Sequence, residues 1–275
     1  MLNICNECRV HLFIVMEKRV EYMKFNKAFN IEKNQVVSIV GAGGKTSLMF
    51  KLAEELRGDN RVAITTTTKI YKPQPNEYDK LILKKHDDLS YSFRNLRQCD
   101  NGLYVIADDV NNDNKLTGLK DDDIEIIAQN FDYTFIESDG AKRKLLKAWR
   151  EDEPVISKST TKTIGVVNIK SLGMCVNSEN IHRVDKFLAL TGGKLQKTVS
   201  IEDLIKIICY ENGLFHNSLG ENIVYFNGIG LSETMKLPCE IAFAAEKLKK
   251  YGIGVVVGDT LGGKIYECYN TSLRK

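Results

Sequence analysis

The chain has 275 residues, 43% of them hydrophobic and 27% charged, an ordinary globular composition with ample material for a sizeable core. A formal net charge of +3 at pH 7 is too weak to point to nucleic acid, which requires a concentrated basic face. No apolar run is long enough to span a bilayer, so neither nucleic acid nor membrane is expected as a partner.

At the N-terminus, "HLFIVM" is short, follows Cys5 and Cys8, and lacks a small-residue cleavage site, which argues against a signal peptide. The seven cysteines are scattered through apolar contexts such as "IICY" and "LPCEIA" and read as reduced, mostly buried thiols of a cytoplasmic protein. Cys5, Cys8 and His11 have ligand-like spacing, but a lone CxxC supplies only half a tetrahedral site. That group reads as an accidental cluster, and Met23 is an alternative start. Residues 1–29 are therefore read as a partly disordered extension, and 30–275 as a single α/β domain.

From Ile31 onward, apolar β-rich runs alternate with helical patterns. "VVSIV" is a continuous apolar run, as expected for a strand buried on both faces. "KTSLMFKLAEELR" spaces Leu48, Leu52 and Leu56 as a helix does, with Gly58 as its stop. Further strands are expected at "VAIT", "KLIL", "LYVIA", "YTFIE", "TIGVVNI", "NIVYF" and "GVVVG". Helices are expected at "DDIEIIAQN", "VDKFLAL", "IEDLIKIICY" and "CEIAFAAEKLKK". This alternation predicts parallel β-α-β units in a three-layer, P-loop NTPase-like α/β sandwich. "DVNNDNKLTGLKDDD" reads as a surface excursion between a strand and a helix.

The functional signal lies in "VGAGGKTS". Gly41, Ala42, Gly43 and Gly44 give a turn tight enough for backbone N–H groups to cradle phosphate. Lys45 would lie along the β- and γ-phosphates, Thr46 would bind Mg²⁺, and Ser47 completes the helix start. A dinucleotide fingerprint is disfavoured: Thr46 stands where a third small residue is needed, and the next strand ends in "TTTTK" instead of an acid. The loop is shorter than the usual G-x-x-x-x-G-K-[ST], since Ile39 occupies the first glycine position. Its spacing is similar to that of the Mur-type ligases, which bind ATP and make an acyl-phosphate.

Strand "FDYTFIESDGAK" delivers Glu137 and Asp139 two residues apart at its carboxyl end, where open α/β sheets bind ligands. Glu137 is read as the second metal ligand and Asp139 as the group that orients water or a nucleophile, with Lys45 as the third catalytic residue. Thr67, Thr68 and Lys69 end the strand after the glycine-loop helix and are candidate phosphate contacts. Lys142, Arg143, Lys144 and Lys147 form either an ordinary charged surface or an anion funnel. His182 and Arg183 open a helix and are candidates to meet an anionic substrate, and Trp149 is assigned to packing. Asn227 ends a strand in "VYFNGIG", which lacks the lysine and aspartate of a guanine-reading motif, so ATP is preferred to GTP.

Together, "VVSIVGAGGKTSLMFKLAEEL", "RVAITTTTKI", "FIESDGAKRKLLKAWREDEPVI" and "NIHRVDKFLALTGG" resemble the YqeC family in order and spacing. Those proteins are described as accessory factors for selenium-dependent molybdenum hydroxylases. The resemblance implies a nucleotide-dependent maturation role, with a molybdenum hydroxylase or its maturation factors as partner. The chain departs from the family pattern where Trp149 follows Lys147-Ala148, where Asp152 precedes Glu153-Pro154, and at Ser157. The expectation is thus an ATPase that requires Mg²⁺; the alternative is an ATP-dependent ligase or kinase acting on a small acceptor, and a third reading is a nucleotide-gated binding module.

Overall fold

A computed structural model describes residues 23–86, 88–94, 100–228 and 237–269. Cys5, Cys8 and His11 lie outside the described residues. At the centre is β1 (Gln35–Gly41), whose "VVSIV" run is buried because parallel strands flank it on both sides. Its neighbours are β7 (Tyr133–Glu137) and β9 (Lys162–Asn168).

Beyond β7 the sheet continues through β2 (Arg61–Thr66), β5 (Gly102–Ala107) and β4 (Lys80–Leu83). Beyond β9 lie β11 (Glu221–Asn227), β12 (Gly254–Asp259) and β13 (Lys264–Tyr269). All pairings in this nine-stranded sheet are parallel except β12 with β13, so the expected α/β sandwich with a mainly parallel sheet is what the chain forms.

Alternation within each strand then sorts side chains to two covering layers. Val37 and Ile39 face α1 (Phe25–Ala28) and α2 (Lys45–Leu56), whose Leu48, Met49 and Leu52 are fully buried. Each such leucine contributes about 2 kcal/mol of burial. On the opposite face, Val36, Ala63 and Ile136 pack with residues of α3 (Leu89–Arg94) and α4 (Asp121–Asn130). Val40, Val167 and Val224 pack on the same side with α5 (Val184–Thr191), α6 (Ile201–Cys209) and α7 (Leu237–Lys249).

Three features depart from the sequence reading. Phe25, Ala28 and Phe29, placed above in an extension, are buried in the core, with Phe29 edge-on to Tyr225 at 5.3 Å. Buried Lys162 fastens this segment by donating to Phe29 O and Asn30 O at 2.7 and 2.6 Å. Strand β13 returns antiparallel after a short turn and carries no continuous apolar run. The "DVNNDNKLTGLKDDD" excursion contains β6 (Lys115–Thr117), which pairs with β3 (Lys69–Tyr71), and β8 (Leu146–Lys147) pairs with β10 (Ile181–His182). These two small sheets turn loops into walls.

Candidate functional site

The chain leaves β1 at the point where the fold switches direction. From β1 the chain runs out through β2 to β4 at one edge and returns through β5 to β7, and from β9 it builds outward on the other side. A crevice at the carboxyl ends of the strands follows from that topology. The turn into α2 fills its floor, with Gly41, Gly43 and Gly44 at φ of +99°, +76° and +137°. A Cβ at Gly44 would lie 2.2 Å from Asn227 Nδ2, and one at Gly43 would lie 2.4 Å from Asn168 Cβ. Only glycine suits both positions.

The two asparagines end β9 and β11, and each donates Nδ2 to Gly43 O at 2.9 Å. Asn227 Oδ1 in turn accepts from Thr260 N and Thr260 Oγ1, both at 3.1 Å. The loop is therefore clamped by its carbonyl side. The amides of Gly43, Gly44, Lys45 and Thr46 have no acceptor among the described residues and sit at the positive end of α2.

Beneath the loop is a buried charge network. Lys45 Nζ donates to Gly41 O at 2.8 Å, with Asp139 Oδ1 at 3.0 Å and Glu137 Oε1 at 3.6 Å. Asp139 Oδ1 is fully buried, and the Lys45 ammonium is the charge that faces it. Asp139 Oδ2 accepts from Gly41 N at 3.0 Å, Lys147 Nζ at 2.9 Å and Trp149 Nε1 at 2.8 Å. Lys147 also meets Glu153 at 3.3 Å, and Arg183 grips Glu153 with two bonds of 2.6 and 2.7 Å.

Burial alone would lower the pKa of Lys45, but the Asp139 and Glu137 carboxylates outweigh it and the net direction is up. For Glu137, burial prevails over Lys45 and the pKa rises. For Asp139 burial also pushes upward, but Lys45, Lys147 and the Gly41 amide prevail, so its pKa falls. One carboxylate is thus held firmly ionised, while its neighbour takes a proton more readily than an ordinary glutamate.

Above the loop opens a cleft of about 710 Å³, lined by Gly43, Gly44, Lys45, Thr46, Ser47 and Glu137 on its floor. Thr46 Oγ1 donates to Glu137 Oε2 at 2.6 Å, which puts a hydroxyl and a carboxylate together at the edge of the cleft. Hard oxygen donors of this kind suit Mg²⁺. Among the described residues no group of three or more His, Cys, Asp or Glu could hold a metal, so most ligands of an ion here would come from water and substrate.

The structure divides the candidate residues. Lys69, Lys142 and Arg143 line the cleft together with Lys45, Thr46, Ser47 and Glu137. Asp139 does not, being fully buried below the loop, and Gly41 and Ala42 lie under it as well. Thr67 is occupied with Val155 O at 2.8 Å, and Thr68 bonds back to Thr66; neither reaches the cleft. Arg183 is committed to Glu153 and Ala148 O, and His182 lies in β10, so the expected cation pair does not face the site. Lys147 belongs to the buried network and not to a surface funnel, and Trp149 adds a hydrogen bond to the packing role assigned to it. Asn168, Tyr71, Lys115 and Lys170 line the cleft without having been singled out, because their approach depends on pairing between distant segments.

Comparison with known proteins bears on the same region. The family model described as "YqeC protein" matches residues 37–185, more than half of the chain. The chain belongs to the YqeC family. A protein of Escherichia coli (strain K12), named "Uncharacterized protein YqeC", is 34% identical over 193 residues, covering 66% of this chain and 70% of the relative. No solved structure matches. The YqeC match begins within β1 and ends in α5, so it includes the glycine loop, both acids, Lys147, Glu153 and Arg183. Asn227 and Thr260, which hold the loop from the other side, lie beyond it.

Proposed function

We propose that this YqeC-family protein binds a nucleoside triphosphate with Mg²⁺ in the cleft and hydrolyses it, or uses it for phosphoryl activation, during maturation of a selenium-dependent molybdenum hydroxylase. The observation that carries the nucleotide part is the loop: free amides at Gly43, Gly44, Lys45 and Thr46 surround a carbonyl that two asparagines hold aside. Oriented amides at a helix start are an anion cradle. The maturation part is supported by family membership alone.

In this reading Thr46 and Glu137 would hold Mg²⁺, and the ion would supply positive charge against the phosphates. Lys45 lines the floor and would neutralise phosphate once its ammonium, held beneath the loop by Gly41 O, Asp139 and Glu137, turns to the cleft. Asp139 acts as a positioning residue that ties Lys45, Lys147 and the Gly41 amide into one unit. ATP is preferred because "VYFNGIG" lacks a guanine-reading pattern. A ligase or kinase reaction on a small acceptor would use the same floor and differ in what occupies the rest of the cleft.

Isothermal titration with ATP, GTP and CTP, with and without Mg²⁺, tests the reading. Lys45→Ala should weaken nucleotide binding by about tenfold or more, the loss of one buried charge-assisted contact, with the fold intact by circular dichroism. Thr46→Val should weaken binding more with Mg²⁺ than without. Unchanged affinity for every nucleotide in Lys45→Ala would overturn the proposal.

A further inference from the structure

The wall of the cleft on the β3/β6 side is built unlike its floor. Lys69 and Tyr71 come from β3, Lys115 from β6, and Lys142 and Arg143 from the loop after β7. None of the four cations has a carboxylate within 4.0 Å among the described residues. Like charges gathered on one concave wall repel one another and raise the local concentration of anions.

Two geometric details show that the wall is constructed. The Tyr71 ring carries Lys115 Nζ at 4.9 Å and Arg143 Cζ at 4.2 Å from its centroid, so one aromatic surface gathers two cations. Lys142 and Arg143 are consecutive left-handed residues, at φ of +50° and +62°, in a region that side-chain-bearing residues seldom occupy. A loop that adopts this twice in succession spends conformational strain to present its two cations to the cleft. Across the cleft, Asn227, Thr260, Leu261 and Asp259 offer no cation, and Lys170 after β9 offers a single one. The cations of the cleft are thus concentrated on the β3/β6 side.

We propose that this wall is a second anion subsite, distinct from the glycine loop, that takes a multiply anionic small-molecule co-substrate bearing phosphate or clustered carboxylates. The proposal rests on the nucleotide reading, and it selects the small-acceptor form of the chemistry. The Arg143 guanidinium presents paired donors suited to phosphate or carboxylate, and the lysines supply charge around it.

The test is calorimetric titration of inorganic pyrophosphate, at fixed free Mg²⁺, into protein saturated with the non-hydrolysable analogue AMP-PNP. Pyrophosphate should bind the saturated wild type once per chain. Lys142→Gln/Arg143→Gln should weaken it by about tenfold, two contact charges being lost, while AMP-PNP affinity shifts by less than about threefold. Lys69→Gln/Lys115→Gln, on a different element, should do the same and guards against a local folding defect, with thermal melting as the check. Absence of pyrophosphate binding to the saturated wild type overturns the proposal. So does a parallel loss of AMP-PNP affinity, which would mean that the wall serves the nucleotide's own phosphates. Should AMP-PNP itself not bind, the nucleotide reading fails; pyrophosphate binding by the free protein that survives Lys45→Ala but not Lys142→Gln/Arg143→Gln still supports the wall, and the reverse pattern overturns it.

Discussion

The floor of the cleft and its rim carry the same kinds of charged side chain and treat them oppositely. Beneath the glycine loop, Lys45, Asp139, Lys147, Glu153 and Arg183 are joined through contacts of 2.6–3.3 Å, and Asp139 and Lys147 are wholly shielded from water. At the rim, Lys69, Lys142 and Arg143 are exposed and have no acidic partner among the described residues. A buried charge must be paired, because desolvation is costly and only close opposite charge and hydrogen bonds offset it. An exposed charge needs no partner and remains available to a ligand. The floor therefore holds shape, and the rim offers charge.

The harshest way to break this comparison is at Asp139. Asp139→Asn keeps the outline of the side chain but leaves the Lys45 and Lys147 ammonium groups without their shared carboxylate. Urea denaturation should show a loss of about 3–5 kcal/mol, the range for breaking one partner of a buried ion pair. A loss below about 1 kcal/mol would mean that the network relaxes independently of Asp139, and the contrast with the rim would collapse.

Between the two regions sits His182, next to Arg183 and near Lys147 and Lys142. Burial, helped by these cations, depresses its pKa from 6.5 to about 4. A depressed pKa means that the folded state holds the neutral ring while the unfolded state binds the proton first. The associated stability is complete above pH 6.5 and is lost as pH falls from there towards 4. His182→Gln should flatten that part of the stability–pH profile, measured by thermal melting between pH 4 and 7. Parallel profiles for wild type and variant would show that the histidine belongs electrostatically to the solvated rim.

The smallest effect is expected at the rim itself. Lys69→Gln should change folding stability by no more than about 0.5 kcal/mol, as for ordinary surface substitutions. A larger loss by denaturant titration would place Lys69 among the structural charges and blur the distinction.

Much of the sheet is legible in the sequence, because β1, β9 and β12 are long apolar runs and α2 carries its leucines at helical spacing. The four-residue α1 escapes, since one turn is too short for periodicity to register, although Phe25 and Phe29 are among the most buried side chains. Strand β13 escapes because an edge strand with partly exposed residues shows no continuous apolar signal.

The candidate site divides in the same way. Gly43, Gly44, Lys45 and Thr46 are adjacent in sequence, and so are Glu137 and Asp139 within two residues, so local spacing suffices to pick them out. Asn227 stands out in the sequence only at a strand end, and its clamp with Asn168 on one carbonyl shows itself only where β11 and β9 carry them together. Tyr71 and Lys115 meet only because β3 pairs with β6.

By itself the sequence determined a mainly parallel α/β sheet, a glycine turn opening a helix, and two acids at a strand end, since each is written in the periodicity or spacing of neighbouring residues. Only the tertiary structure decided which charges are paired and which are left free. Spacing made Glu137 and Asp139 equivalent, yet one lines the cleft and the other is sealed beneath it. Spacing also grouped Lys147 with Lys142 and Arg143, yet the first is locked to Asp139 while the others face the cleft. The role of a charge depends on its distance from opposite charges and from water, and here segments far apart in the chain set both.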